Sequence, residues 1–308
     1  MRKQQRIAIL MTILALVLAM TFVLAACDGT PDNGTCTNHV DKNNDGKCDH
    51  CGKAMSGGNT PAAKPVYKLE GSGYTLVSAG DTKTTTFELP ATYEGKPVTA
   101  IGEEAFKGFS RLTSVVVPDS VVTIGAKAFS GCGRLKSLSL PFIGKTADAK
   151  GEKALLGYIF GSASYTGGTS VDQKYSEAAE DVSTFYIPAA LTTLTITGSS
   201  IPDYALYNCS MITTLEVGKN IATVGAHALD GNKITALFVG SPAFVALLTA
   251  DNLSNLGMKT LPTLYVLSTI TEYTDYITAT FPKHTEFDKN GTSYQRFAKS
   301  GEIRLEAE

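Results

Sequence analysis

The chain has 308 residues, of which 43% are hydrophobic, and this is enough apolar material for one large domain or two small ones. The formal net charge is −2, from 27 Lys and Arg against 29 Asp and Glu. Nucleic-acid binding requires clustered Lys and Arg that neutralise phosphates. Because the chain carries no basic block, we exclude nucleic acid as a partner.

The N-terminus has the pattern of an export signal. The basic start MRKQQR precedes an apolar run from Ile7 to Leu24, and Ala25, Ala26 and Cys27 follow. A cysteine directly after Leu-Ala-Ala resembles the lipobox of bacterial lipoproteins. The resemblance implies a lipid on Cys27 and a position on the extracellular face of the bacterial cell membrane. An uncleaved membrane anchor or a plain signal peptide is the alternative.

A small module rich in Cys, His and Asp follows the signal. Cys36-x2-His39 and Cys48-x2-Cys51 offer four N and S ligands in two close pairs, which suits one structural, tetrahedral zinc ion. With Cys27 lipidated, three cysteines are left in the module and cannot all pair as disulfides, whereas a Cys3His site uses all three. One disulfide or a flexible stalk is the alternative.

A second metal pattern overlaps the first. Asp41, Asn43 and Asp45 stand at the spacing that opens an EF-hand calcium loop. The twelfth loop position is Gly52, where calcium requires a bidentate Glu. Calcium would therefore lack its strongest ligand, and zinc is the preferred cofactor. The same Asp, Asn and Gly residues also suit a simple tight turn.

An internal repeat begins after the module. The segment Ile101–Phe106 (IGEEAF) recurs as Ile124–Phe129 (IGAKAF), 23 residues later. A second pair, Ile201–Leu206 and Val224–Leu229, has the same offset, and each segment precedes an L-x-x-L-x-L stretch. A fixed period of this length predicts a solenoid, because one coil cannot bury its own apolar face and stacked coils can.

The unit LTSVVVPDSVVTIGAKAFSGCGRLKSLSLP resembles the BspA-like leucine-rich repeat of bacterial surface proteins. The resemblance covers roughly residues 67–239, with one interruption. It implies a leucine-rich-repeat solenoid of short parallel strands, turns and short helical pieces, with roles in adhesion or binding and no catalytic residues. Half-units at Phe87–Pro90 and Phe185–Pro188 show the same strand ending before proline.

Alignment of the units sorts residues by repeat position. One position, called here the packing slot, predicts Cys132 and Cys209 to be buried thiols that form no disulfide with each other. A second position, the variable slot, predicts His227 to face solvent without a catalytic role. The packing slot holds Phe109, Cys132, Cys209 and Asn232, and the variable slot holds Glu104, Lys127, Tyr204 and His227.

The repeat stops at about residues 142–184, a segment called here the excursion. Its aromatic residues lie among Gly and Ser, a composition that suits adaptable contacts. We expect Tyr158 and Phe160 to fold back onto the neighbouring coil. Tyr165 and Tyr175 are the candidate binding residues.

The C-terminal region is predicted to cap the last coil. We expect a helix at 243–250, a strand at 264–267, a helix at 271–280 and a turn at Asp288–Gly291. The whole chain then divides into a lipoprotein signal peptide (1–26), a Cys/His/Asp-rich module (27–53), a flexible linker (54–65), repeats (66–240) with the excursion, and a capping region (241–308).

These patterns favour a binding protein over an enzyme. The chain has four His, and we find no GxSxG, HExxH, P-loop or dinucleotide motif. We therefore expect a lipid-anchored, cell-surface binding or adhesion module whose partner is an extracellular protein or glycan. The alternative is a structural envelope or spacer protein without a specific ligand.

Overall fold

The computed structural model describes residues 63–178, 180–258, 261–281 and 284–298. The predicted signal peptide, the Cys/His/Asp-rich module and almost all of the linker lie outside these ranges. The strands are β1 (Val66–Glu70), β2 (Gly73–Ser78), β3 (Thr86–Glu88), β4 (Thr92–Tyr93), β5 (Lys96–Ile101), β6 (Ser114–Val116), β7 (Thr123–Ile124), β8 (Ser137–Leu140), β9 (Gly168–Lys174), β10 (Val182–Pro188), β11 (Thr193–Ile196), β12 (Ser200–Ile201), β13 (Thr214–Val217), β14 (Thr223–Val224), β15 (Ala236–Val239), β16 (Thr263–Leu267), β17 (His284–Lys289) and β18 (Thr292–Phe297). The helices are α1 (Pro242–Leu247), α2 (Ala250–Leu256) and α3 (Asp275–Thr280), with 3-10 turns at Gly151–Ala154 and Leu156–Ile159.

A nine-stranded sheet runs through the repeat region in the order β17-β18-β16-β15-β13-β11-β8-β6-β3. The strands from β3 to β16 are parallel, and the β17–β18 hairpin closes the sheet with antiparallel pairing. Their central residues stand side by side and point into the core, as the repeat pattern predicts. This inner row consists of Phe87, Val115, Leu138, Leu194, Leu215, Leu237, Leu264 and Phe297.

The Ile-Gly pairs of the repeat form a second set of short parallel pairings, called here the turn ladder. Ile101 pairs with Ile124 in β5 and β7, and Ile201 pairs with Val224 in β12 and β14. The residue after Ile124 is glycine because neighbouring coils approach closely at this point. A Cβ on Gly125 would lie 2.3 Å from the backbone nitrogen of Glu103. The IG signature is therefore a packing requirement between neighbouring coils.

The four residues of the variable slot share a left-handed backbone conformation, with φ of 58° (Glu104), 56° (Lys127), 55° (Tyr204) and 56° (His227). Their N–H groups donate to the next layer, as from Tyr204 to the carbonyl of Ala226 at 3.0 Å. The backbone makes this contact, so side chains of different chemistry occupy the slot. Such φ values are uncommon in residues other than Gly, Asn and Asp.

The packing slot is buried at both cysteines, and both thiols are free, which confirms that prediction. The thiol of Cys132 lies 3.2 Å from the carbonyl oxygen of Phe106. Asn232 makes the equivalent contact, donating from Nδ2 to the carbonyl of Leu206 at 2.8 Å. At these two positions the slot therefore ties a coil to the preceding one through a donor as well as through packing.

An aromatic row fills the first half of the solenoid. Phe106 stacks on Phe129 with ring centroids 4.8 Å apart, Phe87 meets Phe106 edge-on at 5.0 Å, and Phe160 of the excursion follows at 6.1 Å from Phe129. The rings of Phe106, Phe129 and Phe160 are completely buried. Large apolar side chains thus supply a continuous core from one coil to the next.

Two sequence predictions about the repeat positions are wrong. The half-unit at Phe185–Pro188 belongs to β10, which pairs with β9 outside the main sheet, and β11 provides the solenoid strand. Both segments alternate apolar and polar residues, so the sequence pattern alone does not distinguish them. His227 is half-buried rather than fully solvent-facing, and Tyr204 in the same slot is only 6% exposed.

The C-terminal elements extend the solenoid before they close it. The predicted strand at 264–267 is confirmed as β16, which pairs in parallel with β15. Two helices, α1 and α2, replace the single helix predicted at 243–250. Thr249 is the N-cap of α2, because its side-chain oxygen accepts a hydrogen bond from the N–H of Asn252. The turn at Asp288–Gly291 is confirmed in the β17–β18 hairpin, and α3 is shorter than its prediction.

Within the described ranges, no helix combines the length and apolarity that crossing a bilayer requires.

Candidate binding surfaces

The excursion docks against the coils on both of its sides. Its Tyr158 and Ile159 carbonyls accept hydrogen bonds from the N–H groups of Lys127 (3.0 Å) and Phe129 (2.8 Å). A regular coil offers the same acceptors, as Phe106 shows by donating to Ala128 at 2.7 Å. The expected fold-back of Tyr158 and Phe160 onto the neighbouring coil is confirmed. The excursion therefore occupies the place of one coil beside the turn ladder.

Gln173 of β9 completes the other side of the excursion. Its side chain is fully buried, its Oε1 accepts from the N–H of Gly157 at 2.7 Å, and its Nε2 donates to the carbonyls of Tyr207 (3.1 Å) and Ala205 (3.4 Å). One amide thus joins the hairpin, the 3-10 turn and the next coil. Sequence analysis missed this residue. Gln173 lies two positions after the buried Val171, so the alternation of a strand places both side chains on the same, inward face.

Tyr165 is half-buried where the excursion crosses its own hairpin. Its hydroxyl donates to the carbonyl of Tyr186 at 2.8 Å, and burial raises the pKa of Tyr165 well above its usual range. The hydroxyl therefore points into the protein. Its role in binding stays a prediction.

Tyr175 lines a cleft of about 560 Å³ between the excursion and the second half of the solenoid. One wall is formed by residues 147–151 of the excursion and the other by residues 200–203 and 223–225 of the turn ladder. The cleft exists because the two halves of the turn ladder do not meet. Ile124 donates to the carbonyl of Lys145 at 2.9 Å, whereas β12 pairs with β14 on its far side. The binding role of Tyr175 also stays a prediction.

The charged groups that line this cleft are two carboxylates and one ammonium. Asp148, Asp203 and Ser200 line it together with Lys150. The pKa of Tyr175 is raised by partial desolvation and by nearby carboxylates, of which Asp181 contributes most. The cleft therefore presents one aromatic ring among hydrogen-bond acceptors and a single ammonium group.

The main sheet exposes one face to solvent, called here the open face. Its residues alternate with the buried inner row, and small hydroxyl side chains predominate. Val116 is 42% exposed on β6, next to the edge strand β3. The open face is built from Thr86, Glu88, Ser114, Val116, Ser137, Ser139, Thr193, Thr195, Thr214, Glu216, Ala236, Phe238, Thr263, Tyr265 and Arg296.

An aromatic cluster ends the open face on the C-terminal side. Phe238 stacks on Tyr265 with ring centroids 4.3 Å apart, and Phe287 and Tyr294 of the closing hairpin pack around them. The ammonium of Lys289 lies 4.0 Å from the ring centroid of Phe238 and pairs with Glu216. The hairpin thereby covers Phe238, so the accessible part of the open face lies on β6, β8, β11 and β13.

The variable slot forms a polar cluster with the excursion. The imidazole of His227 stacks on Tyr204 with ring centroids 5.1 Å apart, and its nitrogens lie 2.8 Å from Asp230 and 3.0 Å from Glu177. A hydrogen bond from the hydroxyl of Tyr204 (2.6 Å) holds the pKa of Glu177 below its usual range. These contacts fasten the tip of the excursion to the coil.

Comparison with known sequences identifies the repeat. Residues 80–149 and 181–247 match the family described as the BspA type leucine rich repeat region, in 6 copies. These two segments have the leucine-rich-repeat fold. The match excludes the centre of the excursion. A comparison with curated proteins finds no match.

Three solved leucine-rich-repeat structures are similar to the chain. The leucine-rich-repeat protein of T. pallidum is 16% identical over 67% of this chain and 82% of its own, with a TM-score of 0.34. A leucine-rich cell surface protein of Faecalibacterium prausnitzii A2-165 is 20% identical over 67% of this chain and 59% of its own, with a TM-score of 0.29. A leucine-rich-repeat protein of Bacteroides ovatus ATCC 8483 is 18% identical over 57% of each chain, with a TM-score of 0.25.

Metal binding is a separate question from the leucine-rich repeats. Among the residues that the structure describes, no group of three or more His, Cys, Asp or Glu is arranged to hold a metal ion. The lipidation site, the predicted zinc ligands and the calcium alternative lie outside the described residues. They stay predictions.

Proposed function

We propose that this chain is a cell-surface binding protein that presents the open face of its leucine-rich-repeat sheet to an extracellular protein. The observation that carries the proposal is the extent of that face. Strands of a sheet lie about 4.8 Å apart, so the four accessible strands with their neighbours span roughly 20–30 Å. A strip of this width, with strands of three to four residues, can form the centre of a standard protein interface of about 800 Å² per partner.

The composition of the open face also suits a protein partner. The residues of β11 on this face are Thr193 and Thr195, and those of β8 are Ser137 and Ser139. The face therefore carries short side chains that offer hydroxyl donors and acceptors. Val116 adds exposed apolar surface on β6, at the end of the accessible strands nearest β3. An interface core low in charge with a polar rim is typical of protein recognition. A glycan is the alternative partner.

The predicted export signal at the N-terminus supports a position of this face outside the cell. We propose that Cys27 carries a lipid, and that the Cys/His/Asp-rich module with one structural zinc ion separates the anchor from the repeats. Incorporation of labelled fatty acid that is lost in Cys27→Ala tests the anchor. Zinc at less than one ion per chain in the purified protein would contradict the metal site.

We propose a non-enzymatic role for the repeat region. Its two described cysteines are buried packing residues, and His227 is held between a ring and two carboxylates that fasten the excursion. An enzyme requires titratable groups that converge on a space for substrate. A spacer without a ligand is the second candidate, and it differs from a binding protein by predicting no partner for the open face.

Two exposed valines provide a matched test of the open face. Val116 is 42% exposed on the open face and Val182 is 39% exposed on the excursion hairpin. We expect Val116→Arg to weaken binding to a panel of purified extracellular matrix proteins and host cell-surface proteins by at least tenfold, and Val182→Arg to leave it unchanged. Binding can be measured by surface plasmon resonance with the purified chain. Equal binding by both variants would exclude the open face, and no binding in the panel would favour the spacer.

A further inference from the structure

The cleft between the excursion and the turn ladder is a second feature with the properties of a site. Its volume of about 560 Å³ lies within the range of about 300–1,000 Å³ that is typical of small-molecule sites. None of the residues that line it belongs to the main sheet. It is therefore separate from the open face and goes beyond the proposed function.

The walls of the cleft come from two different kinds of structure. The coil side is regular backbone of β12 and β14, and the excursion side is the chain around Ala147–Gly151 with Tyr175 above it. Asp203 is held in place because its Oδ1 accepts from the N–H of Ala226 at 2.8 Å. The hydroxyl of Ser200 lies 3.4 Å from the carbonyl of Ala147, at the floor between the two walls.

We propose that this cleft binds a neutral saccharide of one or two sugar units. A sugar ring has an apolar C–H face and a rim of hydroxyls, and the cleft offers a partner for each. The ring of Tyr175 provides a flat apolar platform, since aromatic rings combine large contact area with a polar edge. Asp148 and Asp203 accept hydrogen bonds from sugar hydroxyls, and Lys150 donates to them.

The charges of the cleft argue against two other classes of small ligand. Asp148 and Asp203 line it, and Glu152, Glu180 and Asp181 surround Tyr175, so an anion would be repelled. A purely apolar ligand would desolvate these carboxylates without pairing them, which costs free energy. A cation would be attracted by the carboxylates and opposed by Lys150 alone, so cations are tested beside the sugars below. A polyhydroxylated neutral molecule satisfies both kinds of polar group.

Titration of the purified full-length chain with neutral hexoses, N-acetylhexosamines and their disaccharides, followed by NMR or calorimetry, tests the proposal. We expect at least one of these sugars to bind with a Kd of about 1 mM or tighter. Tyr175→Ala should weaken that binding by about tenfold or more, and Tyr175→Phe should retain it because the ring is kept. Val116→Arg, on the open face and outside the cleft, is the control.

Three results would overturn the proposal. The first is that no sugar in the panel binds with a Kd below about 10 mM. The second is equal binding by Tyr175→Ala and the wild type, when circular dichroism shows that both are folded. The third is tighter binding of arginine amide or lysine amide than of any sugar, which would make the site cationic. Val116→Arg should bind the sugar normally, so failure of the cleft and failure of the open face are distinguishable.

Discussion

The regular coil that contains Phe129 and the excursion that follows it contact each other through ordinary coil-to-coil hydrogen bonds, yet they are built differently. The coil satisfies its backbone groups by repetition, since the N–H groups of the fourth and sixth residues of the IGxxAF segment donate to carbonyls of the next coil, as Glu104 and Phe106 do to Ala126 and Ala128. The excursion supplies two such carbonyls, from Tyr158 and Ile159 in a 3-10 turn. The side-chain amide of Gln173 then bonds the N–H of Gly157 and the carbonyl of Tyr207, where a regular coil would use backbone groups.

The difference shows what a solenoid requires of an inserted segment. The excursion contributes no strand to the main sheet, because β8 pairs directly with β11 and Leu138 lies beside Leu194. In the turn ladder, β7 and β12 do not pair with each other, and the excursion lies between them. It fills only part of the space that a regular coil would occupy. The unfilled part is the cleft. An irregular segment can thus preserve the core of a repeat protein and create a concave site beside it.

The largest expected effect tests whether the excursion belongs to the same core as the coils. Phe129 and Phe160 are both completely buried, one in a regular coil and the other in the excursion. We expect Phe129→Ala and Phe160→Ala each to lower the free energy of unfolding by about 3–5 kcal/mol, because each leaves a large cavity. Urea denaturation measures both. A loss below about 1 kcal/mol for Phe160→Ala alone would show that the excursion unfolds independently.

A smaller effect is expected where the excursion departs from repetition. Gln173→Leu keeps the volume but leaves the N–H of Gly157 and the carbonyl of Tyr207 without the side-chain partner, whereas the carbonyl of Ala205 still accepts from the N–H of Leu156. We expect a loss of roughly 2–4 kcal/mol in the free energy of unfolding, since buried unpaired polar groups cost about 1–3 kcal/mol each and relaxation recovers part. Ser170→Ala, at an exposed position on the same strand, is the control and should stay within about 0.5 kcal/mol of the wild type. Equal stability of both variants would contradict the proposed joining role.

The third effect depends on pH, is absent at neutral pH and concerns the packing slot. Burial raises the pKa of Cys132 from an ordinary 9.0 to about 12. The folded state therefore keeps a proton that the unfolded state loses, so the stabilisation is complete below pH 9 and is lost as the pH rises towards 12. Between these values the wild type should lose about 1.4 kcal/mol per pH unit more than Cys132→Ala. Parallel pH profiles of the two proteins in urea denaturation would exclude this linkage.

The sequence predicts the repeated part of the site well and the unrepeated part poorly. The 23-residue offset located the strands around Val115, Leu138, Leu215 and Leu237, because identical spacing imposes identical register on stacked coils. It missed β11 and assigned its role to β10, since the two segments follow the same alternation. Tyr175 was identified from composition, but its position in a cleft depends on a break in the turn ladder.

By itself, the sequence determined the solenoid, the direction of its inner row and the burial of Cys132 and Cys209. These properties follow from local periodicity, because each coil packs on a copy of itself. Only the tertiary structure decided that the sheet closes across the excursion, that Gln173 replaces the missing repeat contacts, and that the gap left over is a cleft. Those features depend on contacts between segments up to 56 residues apart, such as Leu138 and Leu194, and no local pattern encodes which segments will meet.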